Sequence, residues 1–436
     1  MRPTRLIIGC VAVAALTVGL LAATGAFRSA SRPSAHKPPV VSLPNVPAPA
    51  NGLTPTQVRA AYELGPLAAR GIDGSGQTIV IVDSFGSPTI ASDLAFFDQY
   101  FGLPAPPSLR VIQPAGPVPP FGAHDTNRVG WASETTLDVE WAHVMAPGAR
   151  IVLVETPTSE NEGTTGFPQI VQAEDYVLRH KLGQVISQSF AATEQTFPSV
   201  SSILEFRGTY QLAARDHVTV LAATGDTGAT SDQYNMKDLY TSRAVAWPAT
   251  DPLVTAVGGT ELSLRHDGSR LAPDRAWSNS GGGASIAFPR PAYQDGVRSV
   301  TGNSRGVPDV SMDASCRSSV VVYGSFYAAG GRWTPVCGTS LSAPLFAGIV
   351  ALADQYAGHG RAHGLGLINP ALYRIAARHE PGIVDVRAGN NSQSFVQQGK
   401  PYTVTGYAAA PGYDLASGLG TIDAASFVPE LASLAR

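Results

Sequence analysis

The sequence predicts an α/β fold in which a mainly parallel central sheet is covered by helices on both faces. Its composition is that of a well-buried, loop-rich globular chain: 14% of the 436 residues are charged, 44% are hydrophobic, and 45 are Gly and 34 Pro. After residue 50, short apolar runs bounded by Gly, Pro and Asp alternate with longer helical patterns. Such alternation is typical of parallel sheets, because each crossover between parallel strands needs a covering helix.

Each element follows from one of these two patterns. The apolar runs predict strands at Thr78–Val82, Ile151–Val154, Gln184–Ile186, Val218–Ala223 and Leu253–Val257. The longer patterns predict helices at Ile90–Phe101, Glu134–Met145, Ile170–Arg179, Ser199–Arg215 and Leu341–Tyr356. There is no internal repeat and no second linker, so residues 51–436 are predicted to form one domain.

The first 50 residues have a different character. Arg2 and Arg5 precede an apolar stretch from Leu6 to Phe27, so residues 1–30 are predicted to be an export signal. An uncleaved membrane anchor is the alternative, because 22 apolar residues nearly span a bilayer. Residues 31–50 are rich in Pro and are predicted to be an extended linker. Both alternatives place the domain outside the cell, so we expect a secreted or membrane-anchored protein.

The charge balance limits the possible partners. Thirty Lys and Arg against 33 Asp and Glu give a net charge of −3, which lacks the basic footprint of a nucleic-acid-binding protein. We therefore expect no nucleic-acid partner, a monomer, and membrane contact only if the signal stays uncleaved.

Two cysteines lie beyond the signal. Cys316 and Cys337 are 21 residues apart, and an oxidising exterior favours a disulfide between them. Closing a loop of this length would stabilise the fold by roughly 3 kcal/mol in the chain-entropy description.

A serine at the start of a predicted helix is the first candidate catalytic residue. Ser340 stands in Cys-Gly-Thr-Ser-Leu-Ser-Ala-Pro, just before an apolar helical run. Backbone N–H groups and the positive end of the helix dipole at such a position favour an oxyanion, whereas the structural alternative is a simple N-cap. The G-T-S-x-x-A-P string resembles the nucleophile signature of the subtilisin-like superfamily, so we interpret Ser340 as a nucleophile.

Two carboxylates offer a base for this serine. Glu134 and Asp138 are four residues apart, which places both on one helix face, and sharing a proton would relieve their repulsion. A solvated acidic face is the alternative. A histidine base would be expected in an H-G-T setting, but His124 is followed by Asp125.

Together these motifs resemble the sedolisin, or serine-carboxyl peptidase, family. The resemblance rests on E-x-x-x-D running into Ala146-Pro-Gly-Ala149, on Leu221-Ala-Ala-Thr-Gly-Asp-Thr-Gly228 and on the late G-T-S, and it covers nearly all of residues 52–436. It implies a subtilisin-like fold with Ser340 as nucleophile, Glu134 as general base and later acid, and Asp138 as its partner. By the same resemblance Asp226 lines the oxyanion hole, and Asp83 has a supporting role next to Asp138.

The resemblance also implies one structural calcium ion. Asp385 and Asp414 would supply carboxylates, and Val386, Ala410 and Gly412 would supply backbone oxygens, which together form the oxygen-rich set that Ca²⁺ prefers. Ala410 stands where the family has Gly. Ordinary turn-forming Asp and Gly residues are the alternative interpretation.

These residues predict an endopeptidase that acts on peptide or protein substrates in acid through an acyl-enzyme. Acid is expected because Asp226 must be protonated to donate a hydrogen bond to an oxyanion. One alternative is a subtilisin-like protease using Asp83, His124 and Ser340. Another is a non-catalytic peptide-binding protein of the same fold, since the sequence before the domain is shorter than the family's usual prosegment.

Overall fold

The computed structural model describes residues 52–327, 331–358 and 364–435. The predicted signal and linker lie outside these ranges, so both remain predictions. No helix in the described ranges is long and apolar enough to cross a lipid bilayer.

The chain alternates between strands and helices as predicted. The strands are Thr78–Ser84 (β1), Leu109–Ile112 (β2), Arg150–Thr156 (β3), Val185–Gln188 (β4), Ala192–Thr193 (β5), Thr219–Ala223 (β6), Ala246–Trp247 (β7), Thr255–Leu264 (β8), Arg270–Ala276 (β9), Gly283–Pro289 (β10), Ser304–Val307 (β11), Val310–Asp313 (β12), Val320–Gly324 (β13), Arg332–Val336 (β14), Ile383–Val384 (β15), Gln393–Gln397 (β16), Lys400–Val404 (β17) and Thr421–Ile422 (β18). The helices are Pro55–Ala61 (α1), Gly65–Ala68 (α2), Ile90–Phe101 (α3), Thr126–Met145 (α4), Phe167–Arg179 (α5), Val200–Leu204 (α6), Gly208–Arg215 (α7), Arg298–Thr301 (α8), Thr339–Tyr356 (α9), Asn369–Arg378 (α10) and Ala424–Leu434 (α11).

An eight-stranded sheet organises the fold. Seven parallel strands follow the order β12-β8-β6-β4-β1-β3-β2, and β9 pairs antiparallel with β8. The strand β1 is buried throughout, and its side chains alternate between two hydrophobic cores. Ile79 and Ile81 face the core that includes α4 and α9, whereas Val80 and Val82 face the core that includes α5 and α7. The prediction of a parallel sheet covered on both faces is therefore confirmed.

The helices α4 and α9 pack against each other on one face of the sheet. Gly348 of α9 allows a close approach, because an added Cβ there would lie 2.4 Å from the Cβ of Met145 in α4. The contact matters for the site, since α4 carries Glu134 and Asp138 while α9 begins at Thr339, next to Ser340.

Two predicted helices need correction. The helix predicted to begin at Glu134 starts eight residues earlier, because Asp125 caps it by accepting hydrogen bonds from the N–H groups of Asn127 and Arg128. The helix predicted at Ser199–Arg215 is interrupted at residues 205–207, where Phe206 and Arg207 donate to carbonyls three residues back. Such tighter bonds break the regular α-helical ladder.

Candidate active site

Ser340 lies in the first turn of α9, and its side chain is 5% exposed. The sequence placed it just before the helix, but the helix already begins at Thr339. Pro344, one turn further on, has no N–H to donate to the Ser340 carbonyl. The Ser189 hydroxyl, directly after β4, donates to that carbonyl at 3.3 Å instead. The backbone of Ser340 is thus attached to the carboxyl end of the central sheet.

The Ser340 hydroxyl lies close enough to the carboxyl of Glu134 to lower the pKa of that carboxyl, against the larger effect of burial. Glu134 and Asp138 lie on the face of α4 that is turned toward α9, and Asp138 is fully buried. A carboxylate in contact with a serine hydroxyl has the position that a general base requires. The alternative of a solvated acidic face does not fit, because Asp138 is buried and Glu134, although half-buried as a residue, has its Oε1 atom shielded from solvent.

Asp83, in β1, completes a cluster of three carboxyl groups with Glu134 and Asp138. Five buried oxygens of these groups have no donor in hydrogen-bonding geometry, although the hydroxyls of Thr135 and Ser189 are close enough to lower the pKa of Asp83 and Asp138 respectively. Ionised carboxylates only accept hydrogen bonds, so neighbouring carboxyl groups can satisfy one another only if protons are bound among them. We therefore expect these carboxyl groups to share protons in the folded protein.

Asp226 lies in the turn that follows β6. Its Oδ1 accepts hydrogen bonds from the Thr339 N–H at 2.7 Å and from the Thr339 hydroxyl at 2.8 Å. Its Oδ2 faces Gly338, where an added Cβ would lie only 2.6 Å away. Thr339 thus holds one oxygen of Asp226, and the other lies beside the turn that leads into Ser340.

Burial raises the pKa of each of these acids. It raises the pKa of Glu134 well above the ordinary value, the Ser340 hydroxyl opposes this, and the charges of Asp83 and Asp226 raise it further. For Asp138, burial is again the largest cause and the charge of Asp83 the next. Burial also raises the pKa of Asp226, against the two hydrogen bonds from Thr339. Protonated forms of the cluster therefore persist to a higher pH than in exposed carboxyl groups.

The structure brings together all five residues that the sequence singled out for the reaction: Ser340, Glu134, Asp138, Asp226 and Asp83. Their roles remain predictions. His124 is exposed and lies in the turn before α4, and the hydroxyl of Ser340 instead contacts Glu134. The geometry therefore favours a carboxylate base over a histidine base.

The sequence analysis did not identify several residues that contact or adjoin the candidate site. Thr339 stood inside the recognised motif, so its hydroxyl could have been noticed, whereas Ser189 carries no local signal. Two further carboxyl groups adjoin the site: burial and the charge of Glu162 raise the pKa of Glu160 to about 8, and burial and the charge of Asp226 raise that of Asp232 to about 6. Their proximity is a product of the fold alone.

The predicted disulfide is present in the structure and joins Cys316 to Cys337. Cys337 precedes Gly338 and therefore lies at the entrance to the nucleophile turn.

The predicted calcium ligands also lie together. Gly412 donates its N–H to Asp385 Oδ2 at 3.1 Å, and Ala410 donates to Asp414 Oδ2 at 2.9 Å. Asp385 Oδ1 is buried with no hydrogen-bond partner, whereas Asp385 Oδ2 also accepts from Arg387 Nε at 2.7 Å. No group of three or more His, Cys, Asp and Glu side chains suited to a metal occurs in the described ranges. A site here would thus depend on two carboxylates and on backbone carbonyls such as that of Val386.

The fold is subtilisin-like, and its site combines a serine with buried carboxyl groups. Comparison with known proteins agrees with both features. The profile of the subtilase family matches residues 111–395. The chain is 31% identical to kumamolisin of Bacillus sp. (strain MN-32) over 381 residues, which cover 84% of this chain and 61% of kumamolisin. It is also 31% identical to tripeptidyl-peptidase sed4 of Aspergillus fumigatus over 428 residues, which cover 86% of this chain and 66% of that protein.

A solved structure of Pseudomonas sedolisin, a serine-carboxyl proteinase complexed with pseudo-iodotyrostatin, has the same fold. It superposes with a TM-score of 0.72 at 23% identity and covers 89% of this chain and 100% of its own. The chain thus belongs to the subtilase family and, within it, to the sedolisin family, which confirms the resemblance seen in the sequence. It spans 61–66% of the length of the two curated relatives named above.

Proposed function

We propose that this protein is an exported serine-carboxyl endopeptidase that hydrolyses peptide bonds in acid through an acyl-enzyme on Ser340. The observation that carries the proposal is that the Ser340 hydroxyl lies beside Glu134, within a cluster of carboxyl groups whose oxygens are buried and largely unpartnered. A merely structural serine at a helix start would need no such cluster.

The proposed reaction begins with proton transfer from the Ser340 hydroxyl to ionised Glu134, as the serine oxygen attacks the scissile carbonyl carbon. The carbonyl oxygen becomes negatively charged, and protonated Asp226 donates a hydrogen bond to it. Glu134 then gives its proton to the departing amine, and the acyl-enzyme remains. Glu134 then takes a proton from a water molecule, whose oxygen attacks the ester carbon, and returns that proton to the Ser340 oxygen as the ester bond breaks, which restores both the serine hydroxyl and the ionised base.

Asp138 and Asp83 act through Glu134 in this scheme. Their shared protons stabilise the carboxyl cluster while its net charge changes during proton transfer. Because one carboxyl must be ionised while Asp226 is protonated, the active form is populated in acid.

One structural calcium ion at Asp385 and Asp414, with backbone oxygens of Val386, Ala410 and Gly412, is part of the proposal. The unpartnered Asp385 Oδ1 supports it. A bound cation would stabilise the loops that contain β15 and the segment before β18, since a ligand specific to the folded state favours folding.

The test is hydrolysis of a denatured protein from about pH 2 to about pH 9. The wild type should be most active in acid, at roughly pH 3 to 5, where Asp226 is protonated; because burial raises the pKa of Glu134 as well, the maximum should lie toward the upper end of this range. Ser340→Ala and Glu134→Gln should each lose activity by about a thousand-fold or more. His124→Ala is the matched control and should behave like the wild type.

Three outcomes would count against the proposal. A maximum above about pH 7 with an inactive His124→Ala protein would favour a histidine base. Near-normal turnover by folded Glu134→Gln would reject the carboxylate base. Binding of peptides by the wild type without any cleavage would favour a non-catalytic protein of the same fold.

A further inference from the structure

The Cys316–Cys337 disulfide closes a segment that lies between β12 and α9 in the chain. We call residues 316–327 and 331–337, which the structure describes, the disulfide-closed segment, and they include both strands of the β13–β14 hairpin. Cys316 is exposed and Cys337 is half-buried. The sulfur–sulfur bond therefore lies where a small reductant in solution can reach it.

One end of this segment leads directly to the nucleophile. Gly338, the residue after Cys337, donates its N–H to the Ala314 carbonyl at 2.9 Å. Thr339 follows and donates two hydrogen bonds to Asp226. The chain entering α9 is thus held to the end of β12 by the disulfide and by a hydrogen bond before it reaches Ser340.

The hairpin within the segment contacts α4 on both sides of Glu134. The Tyr327 hydroxyl donates to the Ser133 hydroxyl at 2.8 Å, and Ser133 is the residue before Glu134. On the other side, the Trp141 indole N–H donates to the Val321 carbonyl at 3.1 Å.

The hairpin also interacts with a carboxyl beyond Glu134. The Tyr323 N–H donates to the buried carboxyl of Glu140 at 3.2 Å. The guanidinium of Arg332, in β14, packs over the Tyr327 ring at 4.1 Å and so supports the contact with Ser133. The same hairpin that ends at the nucleophile turn therefore fixes the helix that carries the base.

We propose that the disulfide-closed segment positions Ser340 against Glu134, and that reduction of its disulfide lowers turnover without comparable loss of substrate binding. Cys316, Cys337 and Tyr327 are positioning residues in this proposal, because they act through Ser340 and Glu134. The inference rests on the proposed peptidase function, and it adds redox control to it.

The chemistry balances with an external dithiol. The bond between the two sulfurs breaks, each sulfur gains a proton, and the two electrons come from the dithiol, which becomes a cyclic disulfide. The reduced enzyme is stable against reoxidation in acid, because thiols are almost entirely protonated far below their usual pKa.

The experiment uses the full chain with Cys10→Ser, so that Cys316 and Cys337 are the only cysteines and supply all the thiols that are counted. The protein is treated with dithiothreitol near neutral pH, its free thiols are counted, and kcat and KM are measured in acid. We expect kcat to fall by about ten-fold or more with KM changed less than about three-fold, since small misplacements of reacting groups strongly reduce rates. Reoxidation should restore kcat.

Two variants separate positioning from general loss of stability. A Cys316→Ser, Cys337→Ser double variant should have the kcat of the reduced enzyme and should ignore dithiothreitol. Arg374→Ala is the control. It removes hydrogen bonds to the carbonyl of Pro370 in α10 and to that of Leu434 in α11, and it should keep a normal kcat at temperatures below its melting point.

Tyr327→Phe tests the other attachment while the disulfide stays intact. It should lower kcat and shift the basic limb of the pH profile, because Ser133 adjoins Glu134. If the reduced protein unfolds at the assay temperature, the test rests on Tyr327→Phe alone. An unchanged kcat and pH profile in this variant would then overturn the proposal.

The proposal also fails if fully reduced, folded enzyme keeps kcat within about two-fold of the oxidised form. That result would leave the peptidase function intact. An oxidised wild type without any activity would instead refute the function itself.

Discussion

Replacing Gly338 with alanine should displace Asp226 and so disable the proposed oxyanion side of the site. Gly338 has φ 132° and ψ 165°, a backbone conformation that is essentially restricted to glycine. Alanine there would cost about 1–3 kcal/mol in backbone strain. Its Cβ would also lie 2.6 Å from Asp226 Oδ2, so the carboxyl would have to move by several tenths of an ångström.

The expected magnitude follows from what that carboxyl does. If Asp226 supplies a donor to the oxyanion, its displacement should lower kcat by about a hundred-fold, the usual cost of losing one such donor. KM should change little, because the lost interaction forms mainly in the transition state. The assay is steady-state hydrolysis of a peptide substrate in acid, well below the melting temperature of the variant.

Gly399→Ala is the matched control. Gly399 also has a positive φ, 75°, but an added Cβ there meets nothing within 4 Å. The control should therefore lose some thermal stability to backbone strain and keep its kcat. If Gly338→Ala retained a kcat within about three-fold of Gly399→Ala, the placement of Asp226 at the oxyanion would be wrong.

Three further predictions concern pH and calcium. Asp226→Asn keeps a hydrogen-bond donor without a titrating proton, so its remaining activity should fade less steeply toward neutral pH than that of the wild type, and parallel curves would contradict this. Burial raises the pKa of Asp354 from 3.8 to about 8; a carboxyl with a raised folded-state pKa stabilises the fold fully below about pH 4 and loses that contribution as the pH rises to about 8. The melting temperature, measured by calorimetry, should therefore fall from acid to neutral pH, and it should fall less in Asp354→Asn. The control is Asp267→Asn: because the hydrogen bond from Ser269 lowers the pKa of exposed Asp267, this group titrates below about pH 4, and the fall above that pH should match the wild type. A chelator should lower the wild-type melting temperature but not that of Asp414→Ala, whereas Asp423→Ala, which removes only the α11 cap, should still respond.

Much of the architecture could be predicted from local patterns of apolar residues in the sequence. The helix at Ile90–Phe101 has the predicted ends, and all five predicted strands lie in the parallel sheet. Buried parallel strands are short, continuous apolar runs, so they stand out in a sequence. The short edge strand Leu109–Ile112 was not predicted, because only its two end residues are partly buried and its apolar signal is weak.

The sequence by itself also determined which residues to examine, since Ser340, Glu134, Asp138 and Asp226 all stand in recognisable motifs. Only the tertiary structure decided their protonation, because the raised pKa values come from burial and from carboxyl groups distant in sequence, such as Asp83 near Glu134. The contact of Tyr327 with Ser133, 194 residues away in the chain, likewise has no local signal. Spacing along the chain fixes which side chains share a helix face, whereas the packing of α4 on α9 and the meeting of strand ends create the low-dielectric enclosure that gives those side chains their chemistry.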